Sequence, residues 1–137
     1  MRRSLVVLIG LLAAVFASAC DNGPAPTTPT PGQTVTDTFT GTVNLNGSVT
    51  HSFSTTAAGA VVATMTTVDP TGAIVGFELG TWNTVTCSAV LSNDLATTAS
   101  VLQGNTQSSA SLCVRVHDPN GTLTDNAVKY TITVTHP

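Results

Sequence analysis

The sequence predicts an all-β protein, an antiparallel β-sandwich of about eight strands, and three observations support this fold class. The first is composition: threonine supplies 26 of the 137 residues, and β-branched threonine and valine fit the pleated surface of a sheet. The second is an alternation of apolar and polar residues with a period of two, which begins near Asp37. The third is a series of turn sequences that recur about every ten residues, a spacing typical of sandwiches.

The first two predicted strands flank the dipeptide Asn46-Gly47, the strongest short signal for a β-hairpin. Apolar residues from Phe39 to Leu45 share one face of the strand before the turn. Residues 49–53 alternate in the same way on the returning strand. We therefore expect these two strands to pair with each other.

The remaining strands follow the same alternation and are separated by turn residues. We predict strands at residues 60–68, 73–79, 84–91, 99–102, 111–117 and 128–134, connections at 80–83, 92–98 and 104–109, and Asp-Pro turns at 69–72 and 118–121.

Residues 1–19 have the three parts of an export signal. A short basic region, Arg2 and Arg3, precedes an apolar run of 12 residues. A membrane-spanning helix needs about 20 residues, so this run is too short to be one. Small residues at 17–19 then provide a cleavage site before Cys20. We predict a signal peptide over residues 1–19.

The placement of Cys20 resembles bacterial lipoproteins, in which the cysteine after the cleavage point becomes the lipidated mature N-terminus. Ala17 stands where that family's motif usually carries leucine, and Ala17-x-Ala19 also fits an ordinary secretory cleavage site. An unpaired exposed thiol is a liability in an exported chain, which favours lipidation of Cys20. The sequence therefore predicts a chain anchored by lipid in the cell envelope, with a soluble secreted chain as the alternative. Asp21 resembles the inner-membrane retention signal of enteric bacteria, but the choice between inner and outer membrane stays open.

Residues 20–36 form a linker between the predicted anchor and the foldable region. Four prolines within eight residues, at positions 24–31, forbid a helix. They favour extended polyproline II, which rises about 3.1 Å per residue. We predict a spacer that carries one β-sandwich domain over residues 37–137, a length sufficient for a single core.

Charge limits the classes of partner. After removal of residues 1–19, two basic residues remain against seven acidic ones, a net charge of −5. Because no basic stretch remains, we expect no nucleic-acid partner, and membrane contact only through the N-terminal lipid. A protein or a polysaccharide ligand stays open, and the oligomeric state is not predicted.

Cys87 and Cys113 are the two cysteines of the domain, and export favours a disulfide between them. A metal site or a catalytic thiol is the alternative. Alternation places Cys87 beside Val85 on an apolar face, but Cys113 beside Arg115 and His117 on a polar one. The bridge therefore requires a bulge, a strand end or a sheet edge.

Four strand sequences have a recognisable pattern: HSFST at 51–55, AVVATM at 60–65, LCVRVHDPNG at 112–121 and the closing VKYTITVTHP at 128–137. Together they resemble the bacterial pre-peptidase C-terminal domain. The resemblance implies a jelly-roll-like β-sandwich of the kind appended to secreted proteases and other hydrolases. It also implies a module without catalysis of its own that serves substrate binding, secretion or solubility, and some members bind calcium.

The sequence predicts that the chain is not an enzyme. Its acidic residues are scattered singly, and no hydrolase, zinc-protease or phosphate-binding motif occurs. We expect that neither His51 nor His117 has a hydroxyl nucleophile within about 3.2 Å, the outer limit for a proton-transfer pair. We also expect no pocket lined by two or more acids.

Two candidate ligand sites remain. Oxygen ligands for calcium could come from Asp69, Asp94, Asp118 and Asn120 in the loops, although these residue types also serve turn geometry. Trp82, the only tryptophan, could stack on a sugar or peptide or could instead cap the core.

Together these features predict a non-catalytic interaction or accessory module of the cell envelope that needs no cofactor other than possible calcium. A carbohydrate- or peptide-binding module and a purely structural envelope protein are the alternatives.

Overall fold

A computed structural model describes residues 33–124 and 127–137. The predicted signal peptide, Cys20 and the linker as far as residue 32 lie outside the described residues. The strands are β1 (Val35–Asn44), β2 (Ser48–Thr55), β3 (Gly59–Asp69), β4 (Val75–Trp82), β5 (Cys87–Ala96), β6 (Val101–Thr106), β7 (Ala110–His117) and β8 (Ala127–His136). A short 3-10 turn at Pro119–Gly121 separates β7 from β8. The predicted all-β class is confirmed.

The strands form two four-stranded antiparallel sheets that face each other. One sheet has the order β1-β8-β3-β6 and the other has the order β2-β7-β4-β5. Of the consecutive strands, only β4 and β5 are neighbours in one sheet, so the chain crosses between the sheets at most of its connections. This order is the jelly-roll arrangement of a β-sandwich, as predicted.

The core lies between the sheets and is built from the inward row of each strand. In β8, for example, Val128, Tyr130, Ile132 and Val134 are buried and alternate with more exposed residues. Phe77 and Met65, which are fully buried, provide the largest side chains from the other strands. Burial of these apolar side chains, each stabilising the fold by about 1.5–3 kcal/mol, holds the two sheets together.

The predicted hairpin at Asn46-Gly47 is wrong. The turn itself exists, since the Gly47 amide donates to the Asn44 carbonyl oxygen at 2.8 Å. However, β1 pairs with β8 and β2 pairs with β7, so this turn carries the chain from one sheet to the other. Leu45 lies in the turn and is exposed rather than on a strand face. A tight turn reverses the chain in either case, and distant pairing decides whether its strands become neighbours.

The predicted bounds in the middle of the chain are also wrong. Residues 80–82 belong to β4, and β5 extends through most of the predicted loop at 92–98. The predicted strand at 99–102 begins later, at Val101, and continues to Thr106. Gly104, Asn105 and similar residues usually mark loops, but here they lie in strands at the edges of the sheets, where packing demands less of the side chain.

The predicted Cys87–Cys113 disulfide is confirmed, and it crosses over β4. Cys113 in β7 pairs with Gly80 in β4, whereas Cys87 lies in β5 on the far side of β4. Strands two apart in a sheet are separated by about 10 Å, yet the two Cα atoms lie 5.8 Å apart. The start of β5 therefore folds over β4 at Gly80, where any Cβ would collide with the carbonyl oxygen of Ser88.

This geometry explains how Cys87 and Cys113 form a bridge although alternation placed Cys87 on an apolar face and Cys113 on a polar one. The register of β4 and β5 shifts between Leu79 and Gly80, which supplies the expected bulge, and Cys87 is the first residue of its strand. The apolar face assigned to Cys87 and Val85 is wrong, because Val85 is 78% exposed. Both cysteines lie on the outer side of their sheet.

Candidate functional site

The two open sides of the sandwich differ. One side lies between the edge strands β1 and β2, and the other lies between the edge strands β5 and β6. Aromatic and histidine rings fill the β1–β2 side, where the Phe39 and His51 rings stack with centroids 5.0 Å apart. The rings that meet there are Phe39, His51, Phe53, Tyr130 and His136.

The side between β5 and β6 instead holds a groove of about 350 Å³, which we call the β5–β6 groove. Apolar side chains form its floor, and β6 contributes four consecutive lining residues, 103–106. The described residues of the lining are all uncharged. They are Val61, Leu79, Gly80, Thr81, Val90, Leu91, Gln103, Gly104, Asn105, Thr106 and Leu112.

A second cavity, of about 460 Å³, lies among the loops at one end of the sandwich. Two of the calcium candidates, Asp94 and Asn120, line it together with the exposed apolar residues Ile74 and Leu95. Among the described residues of the lining, Asp94 is the single acid. The structure thus brings two of the four calcium candidates to one cavity and leaves out Asp69, at the exposed end of β3.

Asp118 is occupied by backbone donors. Its Oδ2 accepts from the Asn46 amide at 2.8 Å, and its Oδ1 accepts from the amides of Thr122 at 2.9 Å and Leu123 at 3.0 Å. Desolvation favours a higher pKa for Asp118, but these three hydrogen bonds outweigh it and hold the pKa below the ordinary value. Asp118 therefore ties the turn at Asn46 to the loop that contains Thr122 and Leu123.

Calcium binding stays a prediction. Within residues 33–124 and 127–137, no group of three or more His, Cys, Asp or Glu side chains is arranged to hold a metal ion.

A polar cluster, which sequence reasoning missed, lies on the outer face of the β7–β4–β5 region. The Arg115 Nε donates to Glu78 Oε2 at 2.6 Å, across the β4–β7 pair. The His117 Nε2 lies 3.4 Å from Asp94 Oδ1, and its Nδ1 lies 3.9 Å from Glu78 Oε1. The imidazole lies directly over Gly76, where a Cβ would collide with it. Alternating polar residues on β7 were the sequence signal, but their acidic partners come from other strands.

The expectation that no hydroxyl group lies within about 3.2 Å of His51 is wrong. The His51 Nε2 lies 3.0 Å from the Tyr130 hydroxyl, so a hydroxyl does stand within proton-transfer distance. Burial raises the pKa of Tyr130 to about 12, however, and a phenol with this pKa stays protonated and poorly nucleophilic at neutral pH. Burial also lowers the pKa of His51, which favours the neutral imidazole. The pair connects the two sheets, and Gly41 leaves room for the phenol.

Replacing Tyr130 with Phe is expected to change the stability at alkaline pH. In the folded chain the pKa is about 12, above the ordinary value of 10, so the unfolded state loses the proton first. The contribution of protonated Tyr130 to the free energy of unfolding is therefore complete below pH 10 and is lost as the pH rises through 12. Tyr130→Phe removes this loss, at a cost of about 1 kcal/mol near neutral pH for the hydrogen bond to His51.

Urea unfolding between neutral pH and pH 11 measures this difference. The chain has one tyrosine, so absorbance of the phenolate also reports its ionisation directly. Ionisation of the folded chain near pH 10 would contradict the assigned environment.

Trp82 ends β4, is partly buried and pairs with Cys87. It lies in a strand beside the disulfide rather than in the predicted connection. A ligand contact through Trp82 stays a prediction.

No family model matches the sequence, and no curated protein matches it. The resemblance to the pre-peptidase C-terminal domain therefore stays a prediction. Within the part of the chain that the structure describes, no helix has the length and apolar character needed to cross a bilayer.

Proposed function

We propose that this chain is a non-catalytic interaction module of the bacterial cell envelope, held at a membrane by lipid on Cys20. In this proposal the signal peptide directs export and the proline-rich linker separates the sandwich from the membrane. The sandwich then presents its β5 side to a partner.

The observation that carries the proposal is the position of the exposed apolar side chains. Among the described residues, seven large apolar side chains are exposed, and five of them lie on β5, just before it, at the first residue of β6 or beside Leu95 in the loop cavity. Grouped apolar exposure of this kind is typical of interaction sites. These residues are Ile74, Val85, Val90, Leu95 and Val101.

The ionisable groups support a non-catalytic role because their contacts are structural. Glu78 is 93% buried and holds Arg115, which fixes neighbouring strands to each other. The His136 Nε2 lies 3.1 Å from the Asp37 carboxylate, which joins the two ends of the domain. In both pairs the acid and the base contact each other across paired strands.

Analysis of the mature N-terminus tests the anchor. Mass spectrometry of the chain from its producing cells should find Cys20 as the first residue, with added acyl mass, in the membrane fraction. Cys20→Ala should release the chain from that fraction, whereas the matched change Cys113→Ser should leave the acyl group in place.

Two outcomes would contradict the proposal. An unmodified chain that begins at Cys20 and accumulates in the medium would favour the soluble secreted alternative. Turnover of a peptide, ester or glycoside that is lost in His51→Ala or His117→Ala would make the chain an enzyme.

A further inference from the structure

We propose that the outer edge of β6, which pairs with no strand among the described residues, binds an extended, uncharged peptide segment of another protein, which adds a strand to the sheet and covers the β5–β6 groove. This inference rests on the proposed function, since it names the partner class of the same side of the sandwich.

The lining of the groove shows that a strand edge faces it. Alternate residues of a strand point to opposite faces, so a groove that met one face of β6 would be lined by every second residue. Instead, the consecutive residues 103–106 all line it. The backbone of β6 is therefore the wall of the groove, and backbone N–H and C=O groups are the donors and acceptors that an added strand uses.

β6 pairs regularly with β3, and it lacks the features that usually prevent a further strand from pairing at a sheet edge. β3 is its partner in the sheet, and Gly59–Thr64 pairs with Val101–Thr106 without a register shift. β5, the other wall, has two register shifts in its pairing with β4, which disturb its backbone. Edge strands usually avoid further pairing through lysine, proline or a bulge, and β6 has none of these.

The chemistry of the lining selects an uncharged segment. All of the lining side chains that the structure describes are uncharged, so a charged side chain placed there would lose hydration without gaining a partner among them. Leu91 and the 71% exposed Val90 offer apolar contact beside the edge. A Cβ built on Gly104 meets only the Leu91 side chain, at 3.7 Å, so the middle of β6 leaves space for an incoming side chain. The partner segment therefore alternates small apolar residues with uncharged polar ones.

Hydrogen–deuterium exchange of the full chain, purified from its producing cells, tests the proposal. The probe is an acetylated and amidated heptapeptide of alternating threonine and valine. We expect saturable protection of the amides in residues 101–106 when the probe is added. The same peptide with N-methyl groups on every second amide should not protect them, because it keeps the side chains but lacks the donors of one edge. A threonine–glutamate peptide should also fail.

Two exposed valines provide matched variants. Val90→Lys places a charge at the rim of the groove and should weaken probe binding about tenfold or more. Val35→Lys makes the same change at an exposed valine of β1, an edge strand on the opposite side of the sandwich and outside the lining, and should leave binding unchanged. Both sites are exposed, so neither substitution should alter folding.

Three results would overturn the inference. The first is unchanged exchange in residues 101–106 at millimolar probe. The second is protection without probe that grows with chain concentration, which would assign the edge to a second copy. The third is protection without probe that is independent of concentration, which would assign it to the chain's own residues 20–32. The state of Cys20 is measured separately, so an acylated chain with any of these results refutes the peptide site and leaves the envelope proposal standing.

Discussion

Replacing both Cys87 and Cys113 with serine is expected to lower the free energy of unfolding by roughly 3.5 kcal/mol. The bridge joins residues 26 positions apart, and the chain-entropy model gives this value for a loop of that length. The bridge also fixes the start of β5 over Gly80, where β5 is held by β4 alone in its sheet. Loss of the bridge should therefore loosen β5 more than the strands of the opposite sheet.

Urea unfolding of the double variant and of the native chain, with and without reductant, measures the loss. Reductant should lower the midpoint of the native chain to that of the variant and should leave the variant unchanged. An equal midpoint for variant and oxidised native chain would show that the bridge contributes no stability. Faster amide exchange in β5 than in β3 of the variant would support the local effect.

Strands with strict alternation could be predicted from the sequence. In β8, apolar residues occupy every second position from Val128 to Val134, and the strand lies between two partners, where one face must be buried. The alternating pattern and the burial of one face therefore both indicate a strand. The predicted strand at 111–117 differs from β7 by a single residue for the same reason.

The edges of the sandwich could not be predicted in this way. In β5, Ser92, Asn93 and Asp94 resemble a loop, because this strand has one neighbour in its sheet and much of its surface is exposed. The hairpin error has a related cause. Asn46-Gly47 specifies a reversal of the chain, but the partner of each flanking strand depends on residues 55 or more positions away.

The candidate site depends on these edges, so the sequence could not reveal it. The β5–β6 groove exists because two edge strands from different sheets lie on the same side, each paired within the described residues along one edge alone. The polar cluster likewise depends on register, which places Glu78 opposite Arg115 although they are 37 residues apart. The disulfide was predictable because only two cysteines lie in the domain and no choice of pairing arises.

Replacing Phe77 with alanine is expected to cost about 3–5 kcal/mol of unfolding free energy, the range for phenylalanine in a closed core. Phe77 is completely buried in β4, between Val116 of β7 and Asn93 of β5, so the neighbouring backbone is fixed by pairing on both sides and cannot collapse into the cavity. Phe39→Ala is the matched control, because Phe39 is partly exposed on the edge strand β1 and should lose less. Urea unfolding monitored by circular dichroism compares the two variants. An equal loss for both would contradict a core centred on β4, since it would place the edge ring and the central ring in equivalent surroundings.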